Sequence, residues 1–169
     1  KSKNYEDALA SLDEIQNKDL RLKEAYQMLA YNRGVELYEG RKYADAALFF
    51  ERALKYPANQ SVNARSHYWM AESYYGQGDM PAALRKYDDL RNSPGAYSTE
   101  LYEQAGYGMG YVFFKLKQYD EAVVAFRRYV ASSKGESRQR ADAMLRAGDC
   151  YFVTKDNAQA VKWYDDAMR

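Results

Sequence analysis

Little in this 169-residue chain is of a type and spacing that does covalent chemistry. The only histidine, His67, falls on a helix face beside a packing stripe, where a half-buried structural role is expected. The only cysteine, Cys150, sits among packing residues and reads as a buried, inert thiol. A single cysteine also excludes an internal disulfide framework and a cysteine-based zinc site. Neighbouring carboxylates, Asp88–Asp89 and Asp165–Asp166, are adjacent on helices, do not face each other and read as solvated surface. The segment 106–110, GYGMG, has a G-x-G but no preceding strand and no third glycine at the phosphate-loop spacing, so its glycines read as tight helix packing. His-Glu-x-x-His and Gly-x-Ser-x-Gly are missing too. The expectation is a non-enzyme with no catalytic residue, no metal and no organic cofactor.

The chemistry the chain does offer is aromatic recognition. Pairs of large residues recur seven apart: Tyr31 and Tyr38, Tyr68 and Tyr75, Tyr107 and Phe114, then Leu145 and Phe152. Seven residues are two helical turns, so each pair shares a face. Val35, Glu72, Tyr111 and Asp149 stand midway on that face. Tyrosine suits such a surface because its ring is apolar while its hydroxyl tolerates water.

Long helices must carry these pairs. Leu22, Ala25, Tyr26, Leu29, Ala30, Gly34 and Leu37 keep helical spacing and predict a helix over 20–39, ended by Gly40. A return helix over 42–55 follows, closed by Pro57. The same reading places helices at 61–75 and 79–91, 99–116 and 118–131, and 138–153 and 156–168, with a lone leading helix at 4–15. Turn-rich connectors occupy 93–100 and 132–137. No stretch alternates as a strand would.

The helix pairs repeat. Small residues recur at Gly34, Ala71, Gly110 and Gly148, and large ones three on, at Leu37, Tyr74, Phe113 and Tyr151. On the return helices Ala46–Phe50 is matched by Ala83–Tyr87, Ala122–Phe126 and Ala160–Tyr164, and earlier by Ala8–Leu12. The alanines from Ala8 to Ala160 are 38, 37, 39 and 38 residues apart. A fixed period of this size marks stacked helix pairs. The small residues are expected to let two helices approach closely, and the large residues to fill the space between successive pairs.

This skeleton resembles the tetratricopeptide repeat (TPR), a helix–turn–helix of about 34 residues with small, Tyr, Ala, Phe and Pro positions. The resemblance covers nearly the whole chain. It departs at the first large aromatic, where Ala30, His67, Gly106 and Met144 stand, and in three to five extra residues per unit. The longer unit is similar to bacterial envelope members, among them the TPR lipoprotein of the β-barrel assembly machinery and the coordinator of the Tol-Pal system. The resemblance implies an all-α, right-handed superhelical solenoid of antiparallel helix pairs. It implies one array over 1–169, with 1–16 the second helix of a truncated repeat and repeats at 20–57, 60–94, 98–132 and 137–169.

In the family, first helices line a concave groove. The resemblance therefore puts Tyr31, Tyr38, Tyr68, Tyr75, Tyr107, Tyr111, Phe114 and Phe152 in a partner-binding groove. It implies a non-catalytic scaffold for a protein or peptide segment, with a purely architectural segment contacting through its ends and convex face as the alternative. The groove charges, Arg65, Glu72, Lys115, Arg146 and Asp149, are mixed and suit an apolar or mixed partner. The carboxylate clamp of some members needs Lys and Asn where Tyr31, Val35 and Tyr68 stand, so it does not carry over.

Charge is balanced, 25 Lys and Arg against 24 Asp and Glu, which gives nucleic acid no basic surface to bind. No apolar run approaches the roughly 18 residues that would insert into a bilayer. Lys1 in place of a start methionine and a last repeat that closes at Arg169 predict a piece of a longer protein, with the periplasm or outer membrane favoured as its location. The last helix is expected to expose Val161, Trp163, Tyr164 and Met168, which would give weak end-to-end self-association.

Overall fold

The computed structural model describes residues 2–94, 96–98, 100–133 and 137–168. Among them every regular element is a helix. A first compact unit, Lys1–Ala96, holds α1 (Ser2–Asp13), α2 (Leu20–Glu39), α3 (Tyr43–Leu54), α4 (Gln60–Gln77) and α5 (Met80–Arg91). A second, Tyr97–Arg169, holds α6 (Glu100–Lys115), α7 (Tyr119–Ser132), α8 (Arg138–Val153) and α9 (Asn157–Ala167). The ends of α2 and α8 coincide with the sequence reading, and the other helix ends fall within two residues of it. The 93–100 connector contains one 3-10 turn, Ala96–Ser98. The expected helix start at Thr99 and the centre of the 132–137 connector lie outside the described residues.

Local chemistry starts and stops these helices. Asp19, Asn59 and Ser137 precede the first helices of three pairs, and their side chains accept the backbone N–H of Leu22, Val62 and Arg140. Asp79 and Asp156 do the same for Ala82 and Gln159 on return helices, with Pro81 tolerated in the first turn. The four tight turns are built alike. Lys42, Asp79, Gln118 and Asp156 each donate a backbone N–H to the carbonyl five residues back. The preceding residues, Arg41, Gly78, Lys117 and Lys155, donate three back and hold φ of 57°, 83°, 60° and 66°. This is the Schellman arrangement, with its left-handed residue at C′. Only one of the four positions is glycine. Gly40, which the sequence marks as the terminator of α2, has an ordinary φ of −75°, and the left-handed residue is its neighbour Arg41.

The repeated small–large skeleton forms the core. Ala46, Ala83, Ala122 and Ala160 are buried. A Cβ added at Gly34 would lie 2.7 Å from the Phe50 ring, one at Gly110 2.6 Å from Phe126, and one at Gly148 2.5 Å from Tyr164. Each of these rings lies across the small residue of its own hairpin, and Phe50 and Phe126 also share a core cluster with the following hairpin, through Met70 and through Ala143, Ala147 and Cys150. Other residues join successive hairpins as well. Tyr43 of α3 lies against Gly76 of α4, where a Cβ would be 2.8 Å from its ring. The buried Gln27 of α2 accepts the Asn59 N–H at 2.8 Å and returns an amide to the Asn59 carbonyl at 3.4 Å, clipping α2 to the start of α4. Gly106 departs from the packing expected of it, since a Cβ there would meet nothing within 4 Å.

Candidate partner-binding site

In the first unit, α2 and α4 place Tyr31, Tyr38, Tyr68 and Tyr75 half-buried, with part of each side chain in water. Their inner edges pack on core rings. Tyr31 meets Phe50 at 5.9 Å between centroids, Tyr38 meets Tyr43 at 5.4 Å and Trp69 at 4.9 Å, and Tyr68 meets Trp69 at 5.3 Å and Tyr87 at 6.1 Å. Such tilted and edge-on pairs are favoured geometries for aromatic rings. The hydroxyls converge on Glu72. Tyr87 donates to its Oε1 at 2.5 Å, and Tyr68 and Tyr38 also hydrogen-bond to it. Burial raises the Glu72 carboxyl above its ordinary range against the pull of these donors. Tyr38 is pushed up to about 12, by burial first and then by Glu72. Burial and then Glu72 raise Tyr75 and, further, Tyr87. Tyr38, Tyr75 and Tyr87 are thus neutral at neutral pH.

The second unit has its own hub. Tyr107 donates to Asp142 Oδ2 at 2.8 Å, and Tyr111 donates to the same oxygen. Their rings meet edge-on at 5.2 Å between centroids and both edge onto Phe126. Tyr107 is raised, by burial first and then by the Asp142 bond, and Tyr111 is pushed up to about 12 by the same causes. Asp149 accepts the Tyr164 hydroxyl at 2.9 Å and pairs with Arg146 at 2.6 Å. Phe114 is half-buried against Tyr119 at 5.7 Å. Phe152 is 63% exposed, and Leu145, its partner seven back, is exposed as well.

The aromatic residues singled out from the sequence therefore lie beside the core of each unit, half in it and half outside, except Phe152, which is exposed. The sequence reading placed Glu72 and Asp149 on this face but missed their bonds to the tyrosines, and it missed Asp142. The signal is present: Glu72 precedes Tyr87 by fifteen residues and Asp149 precedes Tyr164 by fifteen, whereas Val35 and Tyr111 hold that slot before Phe50 and Phe126. An acid stands at the slot only where the core ring carries a hydroxyl. Asp142 has no such cue, because it reaches Tyr107 and Tyr111 on α6 from α8, the first helix of the following hairpin.

His67 is half-buried, its Nδ1 4.0 Å from Asp89 Oδ2, and burial lowers its pKa despite that carboxylate. The Cys150 thiol is buried and pushed up to about 11 by burial and by Asp149, which leaves it protonated. Among the described residues no cluster of His, Cys, Asp and Glu could hold a metal ion, and no helix is long and apolar enough to cross a membrane.

A family model described as Tetratricopeptide repeat matches residues 31–97 and 107–169. No curated relative matches the chain. Among solved structures, BtubC (BKLC) from P. vanneervenii superposes with a TM-score of 0.76 at 17% identity, over 98% of this chain and 69% of that one. YrrB, described as a TPR protein with an unusual peptide-binding site, gives 0.70 at 22%, over 98% and 77%. The Rap conjugation gene regulator of the plasmid pLS20, in complex with the Phr* peptide, gives 0.65 at 16%, over 99% and 47%. Identities this low speak to fold alone. The family model, however, spans well over half of the chain, and its repeats carry the small–large skeleton seen in the core. This chain belongs to the tetratricopeptide repeat family.

Proposed function

We propose that the chain is a non-catalytic protein-interaction scaffold that takes a partner segment against the aromatic faces of its first helices. The contact residues are Tyr31, Tyr38, Tyr68 and Tyr75 on one unit, and Tyr107, Tyr111, Phe114 and Phe152 on the other. The observation that carries this reading is that all of them but Phe152 are half-buried: side chains already held by packing and hydrogen bonds, yet partly exposed, lose little entropy when a partner covers them. YrrB and the Rap regulator, whose descriptions name peptides, support it by analogy of fold. The period of 37 to 39 residues supports placing the scaffold in a bacterial cell-envelope protein, and fractionation of the source cell would test that by finding the protein with the periplasm or outer membrane.

An architectural segment is the second reading, favoured by Leu48 on α3 and Val124 on α7, which are 58% and 65% exposed on return helices. Display selection of peptides on the folded chain separates the two. Under the first reading, Tyr75→Ala and Phe114→Ala weaken a selected peptide by about 2 kcal/mol each. Their melting temperatures stay well above that of the core truncation Phe126→Ala. Selected peptides that respond to Leu48→Ser or Val124→Ser instead would favour the second.

A further inference from the structure

Asp149 and Glu72 occupy the same slot of their repeats, each accepting the hydroxyl of the core tyrosine fifteen residues on. They differ in counter-charge. Asp149 has Arg146 three residues before it, at 2.6 Å. Three residues before Glu72 stands Trp69, and no Lys, Arg or His among the described residues forms an ion pair with Glu72. In place of a cation, Glu72 has rings. Tyr87 donates its hydroxyl to it and Tyr38 and Tyr68 also hydrogen-bond to it, Trp69 packs tilted on Tyr38 and edge-on to Tyr68, and Tyr75 is close enough for its titration to be shifted by the carboxylate. Glu72, Trp69, Tyr38, Tyr68 and Tyr75 all keep part of their surface in water.

A carboxylate surrounded by partly exposed aromatic side chains is the complement of an alkylammonium or guanidinium group. The rings attract the cation through their quadrupoles, the carboxylate neutralises it, and the aliphatic stem packs on the ring edges. We propose that the face around Glu72 receives a lysine or arginine side chain of the partner segment, which supplies the counter-charge that Arg146 supplies internally to Asp149. This rests on the interaction-scaffold reading above and names the chemistry of its partner: an apolar segment carrying one basic residue. The site discriminates as well as attracts, since an acidic residue at the same place would face an unneutralised carboxylate.

The test uses a random heptapeptide display library selected on the intact chain, followed by synthesis of the enriched peptides with each basic residue replaced by Gln. The expected result is an enriched Lys or Arg position whose replacement weakens binding about tenfold, the scale for losing a half-buried charge partner. Glu72→Gln, which keeps an acceptor for the tyrosine hydroxyls, should abolish the preference for the basic peptide. Trp69→Arg should do so with the carboxylate intact, by recreating the Arg146–Asp149 pair. In the unmodified chain, the 13C carboxyl resonance of Glu72 should move on adding the basic peptide and not its Gln counterpart, a readout that needs no variant to fold. Neutral peptides that bind as well as basic ones and still depend on Tyr75 would overturn the inference and leave the scaffold reading standing. Failure to select any peptide would overturn both.

Discussion

Two glycines four residues apart on α6 show how much one contact decides. A methyl group at Gly110 would press into the Phe126 ring at 2.6 Å, while one at Gly106 would meet nothing. Gly110→Ala should therefore destabilise by about 1–3 kcal/mol through overpacking. Gly106→Ala should be neutral or stabilise by up to about 1 kcal/mol, because glycine is costly inside a helix. Paired thermal melts check both; equal effects would mean the ring does not lie over Gly110. Glu72 offers a test by pH. Its carboxyl titrates above its ordinary 4.5 in the folded chain. Above pH 4.5 the unfolded chain has released a proton that the folded chain still holds, so this residue's contribution to stability falls as pH rises from 4.5 through the raised value, and is fully present below it. Glu72→Gln has no such proton. Denaturant titrations should show its stability relative to the parent improving across that window and constant at lower pH, and a difference that ignores pH would mean Glu72 titrates normally.

At the scale of the element, the tight turns are where sequence and geometry part. All four put a left-handed residue after the first helix, yet Arg41, Lys117 and Lys155 stand where Gly78 does. A side chain there costs roughly 1–2 kcal/mol, offset in part by a basic group beside the negative end of the helix dipole. Lys117→Gly should consequently stabilise the chain by about 0.5–1 kcal/mol, and Gly78→Ala should cost about 1 kcal/mol. Chemical denaturation midpoints read both signs. The uniform hydrogen bonds of the four turns, from Lys42 to Leu37 through Asp156 to Tyr151, make the turn geometry a property of the repeat and not of its residue types.

At the scale of the molecule, the helix pairs within each unit share a core, so a core truncation should be felt across the unit that holds it. Phe126→Ala should cost about 3–5 kcal/mol. On α9, Val161 and Met168 are 58% and 75% exposed, whereas Trp163 packs against the α7–α8 core and Tyr164 lies over Gly148, so two of the four residues expected to be bare are covered. Weak self-association through the remaining two is the expected outcome in sedimentation, lost in Val161→Lys. The helix pairs were legible because one steric demand recurs in every repeat: a small residue on one helix under a ring on the next. The aromatic face was legible through its seven-residue spacing. Glu72 and Asp149 were legible on that face but their bonds to the core tyrosines were not, because an acid stands in that slot only where the core ring is tyrosine, and Asp142 acts across helices. The left-handed positions were hidden by lysine and arginine. The most direct test of the interaction face is chemical-shift mapping of a display-selected peptide on the aromatic-labelled chain. The account expects the largest shifts at Tyr38, Tyr68 and Tyr75, or at Tyr107, Tyr111 and Phe114. Shifts confined to the return helices around Leu48 or Val124 would contradict it.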